Sequence, residues 1–208
     1  MTAMNVHHER HVIITGFGGQ EIILAGDILG RAASCYDHKY VAMMQTYGPE
    51  VWGSCCSARL IISKKEILFP YAKETDVLVC MSQDGYSRNV GRLHRGSALI
   101  WDEDLVETKD TDPSWTACHI PATRLAVDLG DRSAATVVML GFLAVASDLV
   151  RAESMREAVL AQAPVSLKEI AEAAFERGRQ YGRVVLKRRV RGDSIREVMP
   201  YEILEKTS

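Results

Sequence analysis

A chain of 208 residues, 47% of them hydrophobic, carries enough apolar material for one domain with a full core and needs no disulfide or metal to staple it. A formal net charge of -2 gives no global electrostatic reason to expect nucleic acid or an acidic membrane surface as partner. Five irregularly spaced cysteines, Cys35, Cys55, Cys56, Cys80 and Cys118, fit neither a secreted disulfide framework nor the spacing of an iron–sulfur cluster, so a reducing compartment and no cluster of the chain's own are expected.

Residues 1–10 are polar and include His7, His8, Glu9 and Arg10, so they read as a flexible N-terminus without the apolar core of an export signal, and a cytoplasmic protein is expected. With His11 they raise a metal reading, set against a tag-like tail. The run from His11 to Thr15 predicts a strand ending at glycines, and Ile22, Ala25, Ile28, Leu29 and Ala32 follow at helical spacing. Lys39 to Met44 predicts a second strand leading into the turn formers Tyr47-Gly48-Pro49. Ser54 to Ser63 predicts a third, with Cys56, Ala58, Leu60 and Ile62 on one face. Lys64-Lys65-Glu66 reads as a hairpin tip, with Ile67-Leu68-Phe69 pairing back.

Val77 to Met81 has no alternation, as expected of a central strand covered on both faces. Ala98 to Trp101 and Cys118 to Ile120 predict further short strands. Helices are predicted over Ser133 to Leu149, Ala152 to Gln162 and Ser166 to about Arg183, the last opening on the capping pattern Ser166-x-x-Glu169. The nearly apolar run Ala134 to Ala146 is shorter than the roughly 20 residues that span a bilayer, so it reads as a buried helix. The order of elements predicts a three-layer α/β/α sandwich with a mixed, mostly parallel sheet and a helical C-terminal part. One domain over residues 11–183 and a C-terminal extension over 184–208 are expected.

Gly16-Phe-Gly18-Gly19-Gln20-Glu21 stands where glycines let the backbone turn tightly and present N–H groups to an anion. A dinucleotide fingerprint would place a third glycine at Glu21, whose carboxylate repels a pyrophosphate, and Asp37 precedes the second strand rather than following it. A tight turn that packs helix on sheet is the competing reading.

Taken together, Gly16-Phe-Gly18-Gly19-Gln20, Gln45-Thr-Tyr47-Gly48-Pro49-Glu50, Ile61-Ile62-Ser63, Thr75-Asp76-Val77-Leu78-Val79, Ile120-Pro121-Ala122-Thr123 and Val138-Met139-Leu140-Gly141, with Ala174-Phe175 and Gly178, resemble in order the gamma subunit of the 2-oxoacid:ferredoxin oxidoreductases over roughly residues 11 to 180. The resemblance implies oxidative decarboxylation of a 2-oxoacid by a complex. Thiamine-binding, 2-oxoacid-binding and iron–sulfur subunits supply thiamine diphosphate with Mg and the clusters, coenzyme A accepts the acyl group, and electrons pass to ferredoxin or toward NAD. It implies that this chain binds none of these cofactors alone and shapes the coenzyme A side of the active centre. Gly16, Gly18, Gly19, Gln20, Tyr47, Gly48, Pro49, Glu50 and Trp52 are the expected contact residues.

Three positions depart from the family pattern: Glu21 where a glycine is usual, Trp52 where an arginine is usual, and Thr136 where many members have asparagine. Trp52 reads either as a subunit-interface residue or as a mark of an aromatic 2-oxoacid such as an arylglyoxylate. Cys55-Cys56 is expected to be non-catalytic, and His119 a satisfied core or interface residue. The cluster Arg177, Arg179, Arg183, Lys187, Arg188, Arg189 and Arg191 is a solvated face, a docking surface for an acidic subunit, or an attractor of coenzyme A phosphates. An autonomous nucleotide-binding oxidoreductase and a pure assembly module are the competing functions.

Overall fold

The computed structural model describes residues 9–48, 55–108 and 111–191. Six strands, β1 (Glu9–Phe17), β2 (Tyr40–Thr46), β3 (Cys55–Ser63), β4 (Thr75–Cys80), β5 (Leu93–Asp102) and β6 (Thr116–Ile120), form one sheet in the order β2-β3-β1-β4-β5-β6. β3 runs antiparallel to both β1 and β2, while β1, β4, β5 and β6 are mutually parallel, so five of the six strands point one way. The helices are α1 (Ile22–Arg31), α2 (Gln83–Asn89), α3 (Ala122–Asp128), α4 (Ala135–Ala146), α5 (Ala152–Gln162) and α6 (Lys168–Arg191). This is the expected sandwich with its mixed, mostly parallel sheet and helical C-terminal part.

Strand pleating divides the core. Val12, Ile14, Ala58, Leu60, Val77, Val79 and Ile100 point toward α1 and the helical layer. Ile13, Leu78, Cys80, Leu99 and Trp101 point the other way, where Tyr86 of α2 and Val106 cover them. β4 is therefore apolar on both faces, which is why its sequence does not alternate. α4 packs against α1, α3, α5 and α6 at the centre of the helical layer, and almost every side chain in it is buried.

The differences from the sequence reading have local causes. Ile67-Leu68-Phe69 do not pair back on β3, because β1 and β2 already occupy both of its edges. Glu9 and Arg10 open β1, and Arg10 pairs with Asp148 at 2.7 Å. α6 passes Arg183, the expected end of the last helix, without a break and ends at Arg191. Ser166 sits inside a 3-10 turn, Val165–Leu167, that follows Pro164, rather than standing ahead of the helix as its cap. The short helices α2 and α3 were not anticipated. Residues 1–8, Pro49 to Ser54 and 192–208 lie outside the described residues. None of the described helices is long and apolar enough to cross a membrane.

α4 and α6 touch backbone to backbone. A Cβ added at Gly141 would stand 2.0 Å from the Phe175 carbonyl oxygen, and one at Gly178 would stand 1.9 Å from that of Val138. Backbone cannot step aside as a side-chain tip can, so each alanine would force the helices apart. Gly141→Ala and Gly178→Ala are each expected to lose about 2 kcal/mol or more net of alanine's better helix propensity. Chemical denaturation should register this, and thermal unfolding should fall by roughly 4 to 8 °C; unchanged midpoints would refute the close crossing.

Candidate functional site

After β1 the chain turns to the β2–β3 side of the sheet, and after β4 it turns to the β5–β6 side, with α1 on one face and α2 on the other. The carboxyl ends of β1 and β4 thus flank a topological switch point, the place where open α/β sheets form ligand crevices. A cavity of about 260 Å³ opens there, lined by Gly19, Gln20, Met81, Leu105, Thr123, Arg132 and the start of α4.

Gln20 builds one wall. Its Oε1 accepts from the Phe17 N–H at 2.6 Å, and its Nε2 donates to the Met81 carbonyl at 2.9 Å. The Thr136 hydroxyl donates to the Gln20 carbonyl at 2.6 Å, tying α4 to the same turn. Gly16 has to lack a side chain, because a Cβ there would meet Gln20 Oε1 at 2.5 Å. Gly19 has φ 92°, a left-handed conformation that glycine adopts freely. Beyond β4, Ser82 caps α2 by accepting from the Gly85 N–H at 3.1 Å, and Gly85 lies close over Thr15.

The opposite wall starts from β5. Buried Asp102 accepts from the Thr123 N–H at 2.9 Å and the Thr123 hydroxyl at 2.6 Å, and from the Asp104 N–H at 3.0 Å. Burial pushes its pKa up, against the pull of these bonds. Glu103 binds His119 at 2.5 Å and also pairs with Arg124, and the His119 hydrogen bond holds its carboxyl below the usual range despite burial. His119 also lies over Trp101, so it is a satisfied residue. The exposed Arg132 makes no ion pair among the described residues and stands beside the first turn of α4. A guanidinium without an acidic partner suits an anion.

Of the expected contact residues, Gly19 and Gln20 line this cavity, while Gly16 and Gly18 shape the turn beneath it. Tyr47 and Gly48 follow β2 at the same end of the sheet, since the register sets Thr46 beside Ser57 and Ser57 beside Thr15. Two strand spacings, about 10 Å, separate these rows. Tyr47 is exposed, and its hydroxyl donates to Gln45 Oε1 at 2.8 Å rather than reaching the crevice. Pro49, Glu50 and Trp52 lie outside the described residues. Met81, Thr123 and Arg132 were not singled out from sequence; the Ile120-Pro121-Ala122-Thr123 motif was the one local signal pointing toward any of them.

Other groups are committed elsewhere. Burial by itself would raise the pKa of Asp37, but hydrogen bonds from Ser154 and Arg151 outweigh it and hold the carboxyl below its usual range; with the Arg151 N–H bound at 2.8 Å, Asp37 fastens the start of α5 and is not placed to hold a ribose. Cys56 points into the core and burial raises its thiol pKa, while Cys55 lies on the opposite face near the Thr15 hydroxyl. Arg179 of the basic cluster pairs with Glu176 at 2.8 Å. Among the described residues no three His, Cys, Asp or Glu converge as a metal site.

Glu21 departs from glycine at a position whose backbone asks for one, with φ 54° and no side-chain capping bond. Left-handed geometry costs a non-glycine residue roughly 1–2 kcal/mol, part of which glycine returns through its freer unfolded chain. Glu21→Gly is expected to stabilise the fold by about 1 kcal/mol and raise the unfolding midpoint by roughly 2 to 4 °C. A loss of stability would mean that the Glu21 carboxylate makes a stabilising contact.

Comparison with known proteins places this geometry. The sequence profile of pyruvate ferredoxin/flavodoxin oxidoreductase matches residues 11–181. The 2-oxoglutarate synthase subunit KorC of Methanocaldococcus jannaschii is 39% identical over 180 residues, covering 86% of this chain and 96% of that protein. The gamma subunit of a keto/oxoacid ferredoxin oxidoreductase from Geobacter sulfurreducens superposes with a TM-score of 0.74 at 30% identity, covering 84% of this chain and 99% of that one. A 2-oxoglutarate:ferredoxin oxidoreductase from Magnetococcus marinus, solved with 2-oxoglutarate, coenzyme A and succinyl-CoA, shares the fold at 18% identity and a TM-score of 0.76, over 85% of this chain and 31% of its own. With profile, sequence and fold agreeing over most of its length, the chain belongs to the pyruvate ferredoxin/flavodoxin oxidoreductase family, as a gamma-type subunit of a 2-oxoacid:ferredoxin oxidoreductase.

Proposed function

We propose that this subunit forms the coenzyme A side of the active centre in a complex that oxidatively decarboxylates a 2-oxoacid to its acyl-CoA and carbon dioxide. Two electrons leave for ferredoxin, or toward NAD. Thiamine diphosphate with Mg and the iron–sulfur clusters reside in the other subunits and supply the carbanion and electron-transfer chemistry; this chain holds none of them alone. The carrying observation is the switch-point crevice, where Arg132, free of ion pairs among the described residues, and the bare backbone of Gly19 offer a phosphate a cationic seat. The hydroxyls that line the crevice are already committed, Thr123 to Asp102, Ser133 to Asp131 and Thr136 to the Gln20 carbonyl, which fits a binding role. 2-Oxoglutarate is the first candidate substrate, on the strength of the names that the most similar relatives carry. An aromatic 2-oxoacid is the second, resting on Trp52 alone.

Native purification of the tagged chain, with identification of co-purifying subunits, tests the assembly. Turnover is then assayed with 2-oxoglutarate, a branched aliphatic 2-oxoacid and phenylglyoxylate. Thiamine- and cluster-bearing partners with coenzyme A-dependent ferredoxin reduction are expected. Loss of one charge-assisted contact should raise the KM for coenzyme A about tenfold in Arg132→Ala, with assembly intact. Unchanged kinetics would favour a pure assembly module, and tight nucleotide binding by the lone chain would overturn the subunit reading.

A further inference from the structure

The most exposed apolar cluster of the described fold sits on the loop between β3 and β4. Leu68, Phe69 and Tyr71 are 87%, 68% and 64% exposed, and the Phe69 and Tyr71 rings lie 5.2 Å apart. Both edges of β3 are taken, so this loop does not pair back on the strand it leaves. Its far end is held by Arg92, whose Nη1 donates to the Lys73 carbonyl at 3.3 Å.

Arg92 in turn faces Arg59 of β3. Burial first and the charge of Arg92 second push the Arg59 pKa down. The Arg59 Nε is shut off from solvent and has no hydrogen-bond partner among the described residues. No carboxylate relieves the pair among the described residues. Asp76 is taken by Arg10, His94 and the His11 N–H, Asp84 by Arg88, and neither Glu66 nor Glu74 of the loop bridges to either arginine. A half-buried guanidinium with one unmet donor and a like charge beside it is stabilised when an anion joins it.

We propose that residues 67–74, with Arg59 and Arg92, form the docking surface for an acidic, apolar-centred face of another subunit of the oxidoreductase complex. A carboxylate of that face takes the arginine pair, and its apolar side chains cover Leu68, Phe69 and Tyr71. Aromatic side chains beside arginine are the composition of an interface centre. A polyanion such as nucleic acid is disfavoured by the chain's net charge of -2. The proposal rests on the subunit reading above.

Hydrogen exchange of residues 64–74, measured in the purified complex and in the isolated chain, tests it together with Phe69→Ser, Tyr71→Ser and Arg92→Glu in the tagged subunit. Exchange in the loop is expected to slow at least tenfold on assembly. Each variant should retain its partners at least tenfold more weakly than wild type while keeping the wild-type unfolding midpoint, and the salt sensitivity of retention should shrink in Arg92→Glu. Equal exchange in both states, or variants that hold their partners normally, overturns the surface while leaving the subunit reading intact. A wild-type chain that captures no oxidoreductase subunit overturns both. Loop protection that grows with the concentration of the isolated chain assigns the patch to a second copy and likewise overturns the proposal.

Discussion

The side chain of Gln20 decides where the two halves of the sheet meet. One amide group serves the end of β1 through Phe17 and the end of β4 through Met81, while the carbonyl of the same residue receives the hydroxyl of Thr136 from α4. Each such bond contributes only about 1 kcal/mol net, but removing the amide would strand a donor and an acceptor that the turn partly shelters. Gly16 must be bare for the amide to fit, and Gly19 must turn left-handed for the chain to enter α1. The glycine-rich motif is therefore first a clasp between strands, and the crevice is the space that the clasp leaves open.

What the sequence made legible follows from how local each signal was. The bounds of α5 coincide with the predicted Ala152 to Gln162, and the unbroken apolar run Val77 to Met81 announced a strand buried on both faces. α2 and α3 are seven residues each, and α2 carries one large apolar side chain, Tyr86, so no helical stripe is there to be read. The hairpin expected at Ile67-Leu68-Phe69 failed for a non-local reason: β-forming residues do not say whether a neighbouring edge is free. The crevice shows the same division. Gly19 and Gln20 belong to one motif and can be read together, whereas Met81, Thr123 and Arg132 come from three other segments and meet only through the topology.

Glu21 separates a charge argument from a backbone argument. Read as a sequence, its carboxylate looks like an obstacle to a phosphate. In the structure it precedes α1 in a left-handed conformation, exposed, at the rim of an apolar cavity of about 360 Å³ between α1, α4 and the α5–α6 junction. Glycine is the usual residue in the family pattern for the reason that applies to any left-handed position, and the departure leaves the fold unaltered. Thr136 behaves alike: its hydroxyl supplies the bond to Gln20 that a longer amide would have to make in another geometry.

The two faces of the sheet are unequally dressed, and this gives the subunit reading a physical footing. Five helices bury one face, with α4 so enclosed that its apolar pattern has no polar side. The other face has α2, seven residues long, and the loop that carries Leu105 and Val106. A free-standing doubly wound domain covers both faces of its sheet to bury apolar side chains and shield its strands. Here Tyr40 of β2 stays exposed on the thin side, and on the same side Arg59 has no acidic partner among the described residues. The sheet thus places its well-covered half behind the Gln20 clasp and leaves the half around Arg59 thinly covered, a division that suits a chain whose surface is completed by its neighbours.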